Sequence, residues 1–221
     1  MTLKGVIWDM DGVIVDTGEF HFQSWMITLA PYGIPFSRDI FNNTFGMNNE
    51  GILKLLKGKD FDPQMINEIS ERKEITFRQQ IRGRVKTLPG AMNLLKSIRK
   101  ENIPQAIGSS APQKNIDAIV GELELKDYFA VQVSAAEMPG KPDPSVFLAA
   151  AQGIHAPAAQ CIVIEDAIAG VEAALRAGMK CLAVTTTNSA SSLSAAHKIV
   201  NRLDEISVGD LFSMFHETPD T

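Results

Sequence analysis

The chain has 221 residues, 45% of them apolar and 21% charged, with a mean hydropathy near zero and a net charge of −5. That is the composition of an ordinary soluble globular protein, long enough for one large domain or two of unequal size. No Lys/Arg cluster marks a nucleic-acid footprint, and no apolar run approaches the roughly 20 residues that span a bilayer, so neither nucleic acid nor a membrane is expected as a partner.

Residues 3–8, Leu-Lys-Gly-Val-Ile-Trp, read as a short buried strand ending in Asp9-Met10-Asp11-Gly12-Val13. A strand this early, with a charged end, is incompatible with a secretory h-region, so no signal peptide is expected. The pattern predicts a helix over 16–29, with Phe20, Trp25, Ile27 and Leu29 among its apolar positions, broken by Pro31, Gly33 and Pro35. Helical stretches follow over 38–45, 50–57 and 63–81, and strand signals are nearly absent between 16 and 84. From Leu88 the pattern changes. Helices at 91–100, 113–123, 144–152 and 167–177 alternate with strands at 103–108, 128–133, 161–164 and 181–184, and a last short strand at 199–200. Gly178 closes the 167–177 helix, and residues 216–221 are expected to fray.

Alternation of this kind argues for a parallel sheet with helices on both faces. The fold class is therefore α/β. A Rossmann-like core is expected from residues 1–15 and 85–221, with an all-helical cap, 16–84, inserted after the first strand. Insertions after an active-site strand commonly become lids. Cys161 and Cys181 each begin an apolar strand and read as buried thiols of a cytoplasmic protein. The expected assembly is a monomer or a weak dimer.

In a parallel sheet, ligands bind beyond the carboxyl ends of the strands. The first strand places Asp9 and Asp11 there, and the strand at 103–108 adds Ser109 and Ser110. The segment after 133 adds Gly140-Lys141-Pro142, and the strand at 161–164 adds Glu165 and Asp166. Taken singly, the serines would cap the next helix, Lys141 would be a solvated turn lysine, and Glu165-Asp166 an N-cap pair favoured by the helix dipole. An EF-hand reading of Asp9-Met10-Asp11-Gly12 fails, because Val13 and Phe20 stand where that loop needs ligands. Joint placement at successive strand ends is what the separate readings leave unexplained.

Four carboxylates in one crevice repel each other strongly. Mg²⁺ relieves that repulsion, taking one or two carboxylates together with substrate phosphate. Lys141 and Ser109 then serve phosphate oxygens. These are the parts of phosphoryl transfer, with one carboxylate as nucleophile and another as general acid and base.

The motifs Asp9-Met10-Asp11-Gly12-Val13, Ser109, Lys141 and Glu165-Asp166-Ala167-Ile168-Ala169-Gly170-Val171, in that order, resemble the four motifs of the haloacid dehalogenase superfamily. The resemblance covers the whole chain, the inserted helical cap included. It implies that Asp9 is the nucleophile and that Asp11 is the general acid/base, with its backbone carbonyl on Mg²⁺. It implies that Ser109, Ser110 and Lys141 hold the phosphoryl group, and that Asp9, Asp11, Glu165 and Asp166 form the metal site. An acid at position 11 favours phosphatase or phosphomutase chemistry over the dehalogenase and phosphonate-cleaving branches. Transport ATPases of the superfamily would need membrane spans.

The start of the insert, Asp16-Thr17-Gly18-Glu19-Phe20-His21-Phe22-Gln23-Ser24-Trp25, is similar to the cap of β-phosphoglucomutases and related sugar phosphatases. His21 and Trp25, four apart, share one helix face. The resemblance implies that His21 positions the general acid or a sugar hydroxyl, and that Trp25 packs on a sugar ring, with Thr17 beside them. Where the mutase loop carries Gly-x-Ser-Arg, this chain has Gly46-Met47-Asn48-Asn49. Asn49 cannot replace the bidentate, charged grip of Arg on a second phosphate, and Lys73 is a candidate for the missing charge. The expected function is a Mg²⁺-dependent phosphatase of a small phosphorylated metabolite, a sugar phosphate. A β-phosphoglucomutase-like phosphomutase is the alternative, and a non-catalytic receiver-like phospho-acceptor a remote one.

Overall fold

The computed structural model is described over residues 2–44 and 47–215. Phe45 at the end of the expected 38–45 helix, Gly46 of the cap loop and residues 216–221 lie outside the described residues. The chain divides into two compact units, residues 1–16 with 86–221, and residues 17–85.

In the first unit, among the described residues, six strands form one sheet: β1 (Gly5–Trp8), β2 (Gln105–Ser109), β3 (Val131–Ser134), β4 (Cys161–Glu165), β5 (Lys180–Val184) and β6 (Lys198–Val200). All pairings are parallel, and the spatial order is β3-β2-β1-β4-β5-β6. This is the doubly wound, Rossmann-like arrangement. β1, β2 and β4 are buried along their whole length, which is why their central residues are apolar, while the buried polar Gln105 is satisfied by side-chain hydrogen bonds.

Among the described residues, five helices accompany the sheet: α5 (Ala91–Lys100), α6 (Gln113–Glu122), α7 (Ser145–Gly153), α8 (Ile168–Arg176) and α9 (Val208–Ser213). Ile7, Ala106, Val163 and Cys181 share one core cluster with Phe147 of α7 and Val171 of α8. Alternate strand residues such as Val6 and Trp8 are equally buried and face the other side of the sheet. There Trp8 Nε1 donates to Gln105 Oε1 at 3.0 Å, and Gln105 Nε2 donates to Leu95 O of α5 at 3.1 Å. α5 buries Ala91, Leu94, Leu95 and Ile98, a one-sided helical stripe.

Several boundaries differ from the sequence reading. β2 starts at Gln105, because Pro104 has no N–H to give a ladder. β3 starts at Val131, because residues 126–128 close a 3₁₀ turn first. α9, unforeseen, is nucleated by a reciprocal cap between Ser207 and Asp210.

The second unit holds α1 (Gly18–Leu29), α2 (Arg38–Thr44), α3 (Asn49–Lys57) and α4 (Pro63–Ile81). Asn48 caps α3 by accepting from Gly51 N at 2.8 Å, and Asp62 caps α4 by accepting from Gln64 N at 2.9 Å. Trp25, Leu29, Phe36, Leu53 and Ile69 form its core. Val15 and Thr87 of the first unit pair antiparallel where the chain leaves for this bundle and returns.

Candidate active site

β1 sits at the topological switch point, with β2 on one side and β4 on the other, and there an open α/β sheet forms its crevice. Asp9 follows Trp8 directly, and its N–H donates to Ile164 O at 3.0 Å, which sets it level with Glu165. The chain then turns tightly, with Gly12 N donating to Val15 O at 2.7 Å and Ile14 N to Met10 O at 2.9 Å. Gly12 has φ +86°, and a Cβ there would lie 2.0 Å from Asp166 Oδ2. Only glycine permits both that backbone and that approach. Asp11, half-buried in the same turn, acts electrostatically on both Asp9 and Asp166.

Lys141 reaches in from the loop between β3 and α7. Its Nζ donates to Asp9 Oδ1 at 2.5 Å and to Glu165 Oε1 at 2.6 Å. Glu165 Oε2 in turn accepts from the amides of Asp166 and Ala167, both at 2.7 Å, at the mouth of α8. A Cβ at Gly170 would lie 1.8 Å from Glu165 Oε1, so the glycine of this motif makes room for the carboxylate. Ser109, fully buried at the end of β2, accepts from Ala111 N at 3.1 Å, so its hydroxyl organises the β2–α6 turn instead of capping α6. Ser110 is exposed at the rim.

Burial pushes Asp9 well above the ordinary carboxylate range. Lys141 opposes the rise, and Glu165, Asp166 and Asp11 add to it. Burial and the charge on Glu165 push Asp166 up to about 7, against the pull of its Thr187 hydrogen bond and of Lys141. Burial alone would lower Lys141, but Asp9 and Glu165 override it and hold the ammonium charged. Four carboxylates and one ammonium leave an excess of negative charge.

That donor set, all hard oxygen with charge to spare, fits a hard divalent cation. The oxygens are not gathered in advance. Among the described residues no three acidic, histidine or cysteine side chains stand together as a ready metal cluster. Lys141 lies between Asp9 and Glu165, and both Glu165 oxygens are engaged.

A model of the haloacid dehalogenase-like hydrolases matches residues 6–184. The chain belongs to this family. It is 30% identical over 210 residues to the chloroplastic 5-amino-6-(5-phospho-D-ribitylamino)uracil phosphatase of Arabidopsis thaliana, covering 94% of this chain and 56% of that protein. The chain thus spans just over half the length of that relative. It is 35% identical over 185 residues to the β-phosphoglucomutase of Bacillus subtilis, covering 80% of this chain and 81% of the mutase. The crystal structure of β-phosphoglucomutase from Clostridium difficile superposes with a TM-score of 0.85 at 25% identity, over 97% of each chain.

In the helical unit, two residues singled out from sequence, Lys73 and Asn49, meet on Glu74, which was not, and a third, His21, bonds to Lys73. Lys73 Nζ donates to His21 Nδ1 and to Glu74 Oε1, each at 2.9 Å, and Asn49 Nδ2 donates to the same Glu74 oxygen at 2.8 Å. The His21 ring stacks on Phe77 at 4.0 Å. Thr17 is buried at the N-terminal end of α1, where its carbonyl accepts from His21 N at 3.0 Å. Trp25 is a correction. It is 2% exposed and packs beside Phe36 in the core of this unit, leaving no open indole face for a sugar ring.

The sequence reading also missed Thr187 and Asn188, beyond the end of β5. Thr187 Oγ1 donates a short hydrogen bond to Asp166 Oδ2, and Asn188 Nδ2 donates to Asp166 O at 3.0 Å. The signal was the polar run Thr185-Thr186-Thr187-Asn188 at a further strand end, the same logic that picked out the other four groups.

Proposed function

We propose that this chain is a Mg²⁺-dependent phosphatase of a small phosphorylated metabolite, of the sugar-phosphate class, with Asp9 as nucleophile. The observation that carries the reading is Lys141 Nζ bridging Asp9 and Glu165 at the switch point of the sheet. An ammonium placed there accompanies an incoming phosphoryl group and the carboxylate that attacks it.

In this mechanism an Asp9 oxygen attacks phosphorus, and the bond from phosphorus to the leaving oxygen breaks as Asp11 gives that oxygen its proton. Water then attacks the phosphorus of the aspartyl-phosphate and gives its proton to Asp11, which releases phosphate and restores Asp9. Lys141, Ser109 and Ser110 hold the phosphoryl oxygens during both transfers. Asp9 and Asp166, with Asp11 and Glu165 beside them, would hold Mg²⁺, which supplies charge neutralisation for the transferred group. The helical unit, through His21, Asn49, Lys73 and Thr17, would select the leaving group.

The test is Asp9→Asn, assayed for phosphate release from p-nitrophenyl phosphate and a panel of sugar phosphates, with and without Mg²⁺. Loss of release is expected, and Mg²⁺-dependent release that survives the substitution refutes the mechanism. Similarity to two β-phosphoglucomutases favours a phosphomutase as second reading. Against it, Asn49 offers a neutral amide, already given to Glu74, where an Arg would grip a second phosphate. Incubation with β-glucose 1-phosphate and a bisphosphate primer separates the two: glucose 6-phosphate accumulating faster than free phosphate would reverse the ranking.

A further inference from the structure

Asp166 is held at three of its atoms. Its backbone N–H donates to Glu165 Oε2 at 2.7 Å. Its backbone carbonyl accepts from Asn188 Nδ2 at 3.0 Å, and its Oδ2 accepts from Thr187 Oγ1. Oδ2 also lies against the backbone of Gly12 in the Asp9–Asp11 turn. Two of these contacts come from one loop, the segment beyond β5. A carboxylate with one oxygen tied presents the other, Oδ1, in a fixed direction.

We infer that Thr187 and Asn188 are positioning residues, which orient Asp166 so that Oδ1 faces the divalent cation. The inference rests on the reading that a cation binds at Asp166. Partners of this kind tune metal sites by fixing the rotamer and the charge of a ligand. Thr187 suits the role because it is exposed. Its side chain fills no core, so its hydroxyl is what the position contributes. Asn188 complements it by fixing the peptide on which the carboxylate is mounted.

The experiment measures Mn²⁺ binding, by electron paramagnetic resonance, to substrate-free wild type and to Asp166→Asn, Thr187→Val, Thr187→Ser and Asn188→Ala. Thermal melts in EDTA monitor the fold of each. Thr187→Val should weaken Mn²⁺ binding by about 10- to 100-fold, the usual range for such partners, with an unchanged melt. Thr187→Ser should restore it, and Asn188→Ala should lie between. Wild-type affinity in Thr187→Val, with binding lost in Asp166→Asn, overturns the inference and leaves the metal reading standing. A Thr187→Ser variant as weak as Thr187→Val also overturns it, because methyl packing would then be the cause. A wild type that binds no Mn²⁺ overturns the metal reading and this inference with it.

Discussion

Replacing Asp166 by Asn should stabilise the metal-free protein, by an amount that grows with pH. Asp166 is buried beside Glu165, and burial and that neighbouring charge push its carboxyl up to about 7. A carboxyl that holds its proton more tightly in the folded chain than in the unfolded one makes the folded state carry the extra proton between about pH 4 and about pH 7. The sign follows: its ionisation costs nothing below that window, and stability is lost as pH rises through it. The gap between the ordinary value of about 3.9 and the shifted one is worth, at about 1.4 kcal/mol per pH unit, a ceiling of about 4 kcal/mol. Protonation of Asp9 relieves part of the same repulsion, so the measured value should fall below that ceiling.

Asn keeps the size of the side chain and an oxygen for Thr187, but removes the charge. In EDTA, thermal melts of wild type and Asp166→Asn should nearly coincide near pH 4 and separate by up to about 10 °C near pH 8, for a chain of this length. Mg²⁺ at about 100-fold its dissociation constant should raise wild type by about 2.7 kcal/mol and leave the variant where it was. A separation that does not change with pH, or an Asn variant that is the less stable one near pH 8, would refute the claim that uncompensated charge burdens this site.

Gly170→Ala should leave the fold standing and impair the chemistry. The new Cβ would occupy the place of Glu165 Oε1, displacing the carboxylate from Lys141, so phosphate release should fall at least about 10-fold, as for loss of other groups that orient catalytic ones; Gly121→Ala, whose Cβ meets nothing within 4 Å, is the control that should keep wild-type turnover. Trp25→Ala should cost about 3–5 kcal/mol in urea unfolding, the usual loss for a buried aromatic residue, whereas an indole serving as a sugar platform would instead raise KM with stability intact.

Much of the site was legible because parallel strands carry a strong signal: continuous apolar runs, each ended by a polar group at the edge where ligands bind. Asp9, Ser109 and Glu165 came from that rule alone. The β2 boundary slipped because apolarity at Ile103 continues past the point where Pro104 ends the ladder. Thr187 and Asn188 were passed over because Thr and Asn after a strand are the common material of turns. Their partner Asp166 lies 21 residues away from Thr187 in sequence, so no local pattern links them. Trp25 misled for a related reason. Helical spacing puts it on one face with His21, but spacing says nothing about whether that face meets solvent or core. The packing of Phe36 against it decided the matter.

The charge balance also bears on how a phosphorylated substrate would enter. Lys141 already divides its ammonium between Asp9 and Glu165, so it brings little net attraction for a phosphate dianion. Like charges about 5 Å apart repel by about 3 kcal/mol at an effective dielectric of about 20. An incoming phosphoryl group would meet several such carboxylates at once. On the proposed function, a divalent cation at Asp9 and Asp166 would cancel most of that repulsion and lessen the pull on Lys141, freeing its proton donors for the phosphoryl oxygens. Metal and phosphate should therefore bind as a thermodynamic pair, each tightening the other by the same factor. The four carboxylates that would repel phosphate without a cation are then what would tie phosphate binding to the metal.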